Sequence, residues 1–552
     1  MENNQNSPIY TVNKIGGKNM TTLSDVGTLV RVLKDRNESP TLVVSAFTKV
    51  TNALIKVMDD LNETDYKEED IDQAFQTVDA LHEEIFDTFL QGESADRARV
   101  VYQQEYEQLR SRLMAHKQTS NVLMPVAGSF SIRDQVIGFG ENAAKKILGI
   151  YLEQEGHEAE VIDGVQTVGE ITNGSEIISM NKLHQAMRNG IKESVLEAQT
   201  NVSETRGNVV QILGGHIAGT PRGIAIDVGR SYTDTTALHA AYALRDAGIP
   251  VEAVRYWKDV KGVLTANPQD LIAGKHEARV INQVSFTEGL EMASAGSQLV
   301  QIDALALARR EERKPDGHKG LKIELSDIRD PEKPAGTFFS GKEIRTDQAF
   351  KSIASKQHTD TITISVPEMV NRAGFCSAIH QVFTKHGLSI DATPTEGTSA
   401  MFSIDLPQDA SDMAEKRKAI QAACGELKAL TVNGERFDIA EGDIEWRQDL
   451  ACVSLVGNEL IDTTGALSWV TSVLAANDIN IEAISHTTKQ KRVSVFVSKN
   501  DRQKAVQLLH SIMVDGNEDD IEALVNTRIA ELRQMSESFN GCPSVRPKVP
   551  LA

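Results

Sequence analysis

Apolar positions along the chain fall into two kinds of run. Short blocks of β-branched and aliphatic residues, TLVVSA at 41–46, VVQIL at 209–213 and VEAVRY at 251–256, read as strands buried on both faces, as in a parallel sheet. A shorter strand at 10–14 ends in Gly16-Gly17, and further extended segments are predicted at 134–139 and 223–227. Between these blocks the spacing turns helical. Residues 52 onward read as helix, and so do 73–118, with Leu81, Ile85, Phe86, Phe89, Tyr102, Tyr106, Leu109 and Leu113 at helical intervals. Residues 142–155 place Ile147, Leu148, Tyr151 and Leu152 on one face, and 234–246 form another helix. Alternating strands and helices predict an α/β domain with helices on both faces of a mainly parallel sheet.

Residues 312–357 are polar and proline-bearing, which marks a boundary or linker. Beyond it the pattern repeats. Strand TITISV, a helix at 375–386, strand LSIDA and strand SAMFSI form one unit; strand ACVSLV, a helix at 465–477, strand INIEAI and strand RVSVFV form the other. A helix follows each, at 414–424 and 501–514, giving two ferredoxin-like βαββαβ units. The expected organisation is a disordered N-terminus at 1–9, a large α/β domain at 10–311, a linker at 312–357, small domains at 358–448 and 449–520, and a disordered tail at 536–552.

The length of 552 residues agrees with three or four domains at roughly 150 residues each. The net charge of −20 argues against a chain that wraps nucleic acid or lies on an acidic membrane. Anionic small substrates stay allowed where positive charge gathers locally. Eight acids and one lysine at 59–72 read as a solvated face. None of the four cysteines is in a CxxC pair or beside a histidine cluster, so neither a disulfide framework nor a metal site is expected, and a reducing cytoplasm fits. The N-terminus lacks the pattern of a signal peptide, and no run approaches 18 uninterrupted apolar residues.

Candidate chemistry sits at the strand ends. Lys14 beside Gly16-Gly17 can hold a phosphate, since glycines let backbone N–H groups approach an anion; an ordinary glycine turn with a surface lysine is the other reading. Gly214-Gly215, Gly229-Arg230 and Thr233-Asp234 follow later. Asp234 is either a helix N-cap or a site acid, and Arg230 offers a bidentate fork for a carboxylate. Together these loops outline a phosphate and carboxylate site where open α/β sheets bind ligands. GFGENA at 138–143, with Asp163 about 20 residues on, is a weak match to a dinucleotide fingerprint.

KIGG, VSAFTKVTNAL, GFGENAAKKIL, GRSYTD and WKDVKGVLTANP stand in the order and approximate spacing of aspartate kinases, and the repeats resemble the paired ACT domains of that family. The resemblance implies an amino-acid kinase three-layer sandwich with a mainly parallel sheet, followed by two ACT domains. It implies that Lys14 contacts the ATP phosphates with Gly16, Gly17 and Gly215 shaping the loops, and that Trp257, Lys258 and Asp259 lie beside the nucleotide. Ser45 and Thr51 would line an aspartate pocket, Glu141 would read the substrate ammonium, Arg230 would hold its carboxylate, and Asp234 would stand near the transferring phosphate. Met369, Gly374, Phe375, Ser389 and Asp391 match positions that bind an amino-acid effector; they equally suit a helix start and strand edge at a dimer interface.

The activity implied is phosphoryl transfer from Mg²⁺-ATP to the side-chain carboxylate of L-aspartate, the first step toward aspartate-family amino acids or ectoine, in a homodimer or higher homo-oligomer joined through ACT domains. Several positions depart from the family pattern. Lys18-Asn19 replaces Thr-Ser, Ser231-Tyr232-Thr233 replaces Gly-Gly-Ser, Gln269 replaces an arginine, and Gln298 stands where a phosphate-reaching lysine is common. These departures support the alternative of an amino-acid-sensing ACT protein with a degenerate kinase site. A kinase of the same fold acting on glutamate or an N-acylated relative is the third reading, disfavoured by the ACT pair and by the VSA…TN segment.

Overall fold

The computed structural model describes residues 8–514 except 62–65, 120–131, 172–177, 202–208, 221–222, 230, 273–276, 298–299, 316, 347, 371, 408–409 and 488, together with 516, 523, 526, 527 and 530. Of the N-terminus expected to be disordered at 1–9, residues 1–7 lie outside the described residues while Ile9 already begins a strand; the expected tail at 536–552, Arg230 and Gln298 also lie outside them. The chain divides into two compact units.

The first unit comprises 1–263, 280–286 and 299–342. Its sheet contains β1 (Ile9–Ile15), β2 (Glu38–Val44), β3 (Ala159–Ile162), β4 (Val210–Gly214), β5 (Val251–Lys258), β6 (Gln283–Ser285), β7 (Lys322–Asp327) and β8 (Thr337–Ser340), in the order β3-β4-β2-β1-β5-β7-β8-β6. All pairs are parallel except β7 with β8. Every residue of β2 is buried, which is why its sequence is a continuous run rather than an alternation. From β1 the chain continues to β2 on one side, whereas β5 leads toward β7 on the other. The β1–β5 seam is thus a switch point, and its carboxyl ends open a crevice.

The helix Ile132–Gln154 replaces the extended segment expected at 134–139. The Val-Ile-Gly-Phe-Gly run has poor helix propensity, but close packing overrides it. A Cβ on Gly138 would meet the His216 ring at 2.6 Å, and one on Gly140 would meet Val50 at 2.9 Å. GFGENA is therefore a helix-packing segment, not a phosphate turn. Residues Ile224–Asp227 form a single helical turn where a strand was expected. The polar stretch 312–357 is not simply a linker: it supplies β7 and β8, whose polar residues belong to strands at the side of the sheet.

The second unit comprises 264–279, 287–298 and 343–552. Two segments expected inside the large domain, 264–279 and 287–298, thus fold with the repeats. The buried pair Lys351–Glu288 at 2.8 Å and the pair Arg502–Asp270 at 2.8 Å help hold them there. The sheet contains β9 (Ser352–Ser365), β10 (Ser399–Asp405), β13 (Ile444–Val456), β14 (Ala483–Ser485) and β15 (Arg492–Ser498), in the order β10-β9-β13-β15-β14; β11 (Ala429–Val432) and β12 (Glu435–Asp438) form a separate hairpin. The long strands β9 and β13 run antiparallel through both repeats. Ser352–Lys356 of β9 pair within the second repeat and residues 361–364 within the first. The LSIDA segment is not a regular strand, although Asp391 donates its N–H to Ser403 and Ser403 to Ala392. Helices Phe375–Lys385 and Ala410–Leu427 bury Phe375, Ile379, Phe383, Ile420 and Leu427 against the first repeat, and helices Ala466–Ala475 and Arg502–Leu509 bury Val470, Leu474, Val506 and Leu509 against the second.

Candidate active site

Neighbouring strand ends at the β1–β5 seam each deliver a lysine, Lys14 from β1 and Lys258 from β5. Both point at Asp234, in the first turn of the helix Tyr232–Asp246. Lys14 Nζ lies 2.6 Å from Asp234 Oδ1, and Lys258 Nζ lies 3.8 Å from Oδ2. The Gln301 N–H donates to Oδ2 at 3.0 Å. Burial alone would raise the Asp234 carboxyl. The Lys14 and Lys258 charges and the Lys14 and Gln301 hydrogen bonds outweigh it and hold the group below its ordinary value. Burial, then the Lys14 charge, pushes Lys258 down from 10.5 to about 8.

The helix behind Asp234 is buried from Tyr232 to Leu244, so its N-terminus is fixed. Ser231 enters it in the left-handed region at φ 65°, and the Tyr256 hydroxyl donates to the Asp234 carbonyl at 3.0 Å. An acid in this first turn also meets the positive end of the helix dipole.

The glycine loop closes over the lysine. A Cβ on Gly17 would lie 2.6 Å from the Ala46 carbonyl oxygen, and one on Gly16 would stand 3.4 Å from Lys14 Nζ. Gly215 is equally constrained, since a Cβ there would meet Thr233 Oγ1 at 2.5 Å. Asn19 is buried and donates to the Trp257 carbonyl at 3.0 Å, tying the loop to the end of β5. Lys18 pairs with Asp259 at the surface. Trp257, expected beside the nucleotide, has its side chain in the core with its indole N–H on Asn13 Oδ1 at 2.9 Å.

Glu141 lies on the helix Ile132–Gln154, fully buried. The Tyr232 hydroxyl donates to Oε1 at 3.0 Å, and the His216 backbone N–H donates to Oε2. Ser45 Oγ approaches Oε1 at 3.5 Å, and Thr233 Oγ1 approaches Ser45 Oγ at 3.5 Å. Burial raises the Glu141 carboxyl above its ordinary value, opposed by the His216, Tyr232 and Lys14 contributions. Ser45, Glu141 and Asp234 are thus linked through Thr233 and Tyr232. Thr51 lies in the first turn of the helix Val50–Leu61, half-buried, outside this chain of contacts. Asp134, Tyr232, His216 and Gln301 were not singled out as site residues. Only Tyr232 carried a signal, its departure from Gly-Gly-Ser.

In the second unit, Met369 and Phe375 are core residues of the first repeat. Gly374 opens its helix at φ 91°. Ser389 and Asp391 are exposed on the segment beside β10, where Lys356 Nζ pairs with Asp391 at 3.0 Å. Among the described residues, no group of three or more His, Cys, Asp or Glu side chains is placed to hold a metal ion.

An open, mainly parallel sheet with two lysines converging on a helix-start acid beside a glycine loop defines a phosphoryl-transfer fold of the α/β class. The amino acid kinase family matches residues 10–314, more than half the chain, so the chain belongs to that family. An ACT domain matches residues 453–512. Similar proteins include chloroplastic aspartokinase 2 of Arabidopsis thaliana, 24% identical over 514 residues that cover 91% of this chain and 83% of the relative. The aspartokinase of Schizosaccharomyces pombe is 24% identical over 404 residues, 69% of each chain. The solved structure of E. coli aspartokinase III in complex with aspartate and ADP has the same fold, with a TM-score of 0.65 at 20% identity over 91% of this chain and 99% of that one. Clostridium acetobutylicum aspartate kinase gives a TM-score of 0.61 at 19% identity over 91% of this chain and 100% of that one.

Proposed function

We propose that this chain is an aspartate kinase, transferring the γ-phosphoryl group of ATP to the side-chain carboxylate of L-aspartate to give 4-phospho-L-aspartate. The observation that carries this reading is the convergence of buried Lys14 and half-buried Lys258 on Asp234 beside Gly16 and Gly17. The acceptor carboxylate is already ionised at neutral pH, so no strong general base is required. What the protein supplies is orientation and positive charge. Lys14, Lys258 and the loop amides serve the nucleotide phosphates, while Glu141 with Ser45 serves the amino acid. One carboxylate beside two ammonium groups suits a phosphate-borne metal rather than a protein cage. Mg²⁺ carried on the nucleotide would neutralise part of the phosphate charge. The ACT repeats support regulation by a bound amino acid and assembly of a homodimer or higher homo-oligomer. The absence of any described helix long and apolar enough to cross a membrane is compatible with a cytoplasmic enzyme.

The test is incubation with Mg-ATP, L-aspartate and hydroxylamine, which traps an acyl phosphate as the hydroxamate. Aspartyl hydroxamate is expected, and Lys14→Ala or Asp234→Ala should abolish it while leaving the fold intact. Amino-acid binding without hydroxamate under any effector condition would instead establish a sensing protein with an inactive kinase site.

A further inference from the structure

Glu141 carries a buried carboxylate whose hydrogen-bond donors are neutral: a phenol, a backbone amide and a hydroxyl. Neutral donors orient a buried anion without cancelling its charge, which leaves it available to an incoming cation. The geometry around it is built, not incidental. The Asp134 carboxylate accepts from the Ile224 N–H at 3.1 Å and lies 3.0 Å from His216 Nε2, fixing the loop whose N–H reaches Glu141. Gly138 leaves room for the His216 ring. From the other side, Tyr232 is 7% exposed and follows the left-handed Ser231, so its hydroxyl has one place to go.

Tyr232 and Asp234 stand two residues apart in one helical turn. That turn therefore sets both the anion that meets the two lysines and the clamp on Glu141. Resting on the aspartate kinase reading, we propose that Tyr232 is a positioning residue for substrate selection. Its phenol aims Glu141 at the substrate's ammonium group, so the site selects α-amino dicarboxylates over des-amino analogues. The charged and titratable groups facing Glu141 are the His216 imidazole and Lys14, with Asp134 acting on Tyr232 from the same helix as Glu141. Loss of the phenol donor removes one of the contributions that oppose burial, so Glu141 would then need a higher pH to ionise.

The experiment measures steady-state kinetics against pH for the full chain, with aspartate and with ATP varied separately. Tyr232→Phe should raise KM for aspartate about tenfold, the loss of one hydrogen bond to a charged group, with kcat and KM for ATP close to wild type. The acid limb of kcat/KM for aspartate should move upward by roughly one pH unit. In a Glu141→Gln background the same substitution should add little, because the phenol acts through the carboxylate. Should Tyr232→Phe fold poorly, 3,5-difluorotyrosine at 232 keeps the shape and donates more strongly, and should move the limb downward. A wild-type limb and wild-type KM in either variant overturn the proposal, as does a full additive effect in the Glu141→Gln background. Absence of aspartyl phosphate from the wild-type chain would overturn the kinase reading itself, a distinct result.

Discussion

Asp234→Asn removes one negative charge and almost no volume from the centre of the site. In the folded chain that charge faces Lys14 at 2.6 Å and Lys258 at 3.8 Å, with both lysines largely buried. Deleting one partner of a buried ion pair typically costs about 3–5 kcal/mol, because the other charge is left uncompensated. Two ammonium groups would then face each other, and Lys258 is the one that yields. Its value is already lowered from 10.5 to about 8, so folding favours its neutral form. At ~1.4 kcal/mol per pH unit, the wild type gives up ~3 kcal/mol of stability as pH falls from above 10.5 to below 8. Without Asp234 the Lys258 value falls further and the window widens toward neutrality. Urea unfolding at pH 7 and pH 9.5 should therefore show a deficit against wild type that is largest at pH 7 and shrinks at pH 9.5. The same variant should lose at least about 100-fold in kcat, as for other groups that organise transition-state charge. A pH-independent deficit below about 1 kcal/mol would refute the reasoning, because a buried pair cannot be lost so cheaply.

His82 is fully buried among Phe47, Phe86, Tyr102 and Phe139, and burial pushes it down from 6.5 to about 4 against the opposing Val78 hydrogen bond. Its neutral form is the folded one, so stability is full above pH 6.5 and falls as pH drops from 6.5 to 4. His82→Phe should remove ~3 kcal/mol of that acid loss in urea melts at pH 4, leaving the part due to His184 and His239, which burial likewise pushes below the ordinary imidazole value. Gly17→Ala pushes a methyl to 2.6 Å from the Ala46 carbonyl, which must shift. We expect a loss of about 1–3 kcal/mol in stability and a raised KM for ATP, measured by denaturant unfolding and kinetics. Lys351→Met in the second unit leaves Glu288 buried without its cation at 2.8 Å. A loss of about 3–5 kcal/mol is expected, while the double variant Lys351→Met/Glu288→Leu should recover most of it.

The parallel core was legible where burial on both faces forces continuous apolar runs, as in 41–46, which became β2. The segment around Gly138 was misread because glycines and β-branched residues disfavour helix locally. Its helix rests on contacts with His216, Val50 and Leu54, distant in sequence. Polarity at 312–357 suggested a linker, but polar residues of β7 and β8 are buried with partners, Glu324 on Arg255 and Thr337 on the Val263 N–H, pairings that arise only in the folded sheet. For the site, Lys14 and Gly16-Gly17 announced phosphate chemistry, but a lysine at position 14 meeting an acid at 234 is a consequence of sheet order. Tyr232 donating to Glu141 and Gln301 donating to Asp234 depend on tertiary geometry that no periodicity encodes.

The long strand β9 bears on how this regulatory region could have been inherited or dismantled. The repeats look tandem in the sequence, yet residues 352–356 sit beside the strand of the second repeat, nearly 100 residues downstream. A gene cut just before residue 449 would split β13 and deliver only its second part without that neighbour, exposing the hydrogen-bonding edge of an almost wholly apolar segment, ACVSLV. Such a fragment should aggregate, whereas one beginning before Ser352 keeps the edge covered. The two copies are nested and are separable only as a pair, so recombination that exchanges this region must carry both.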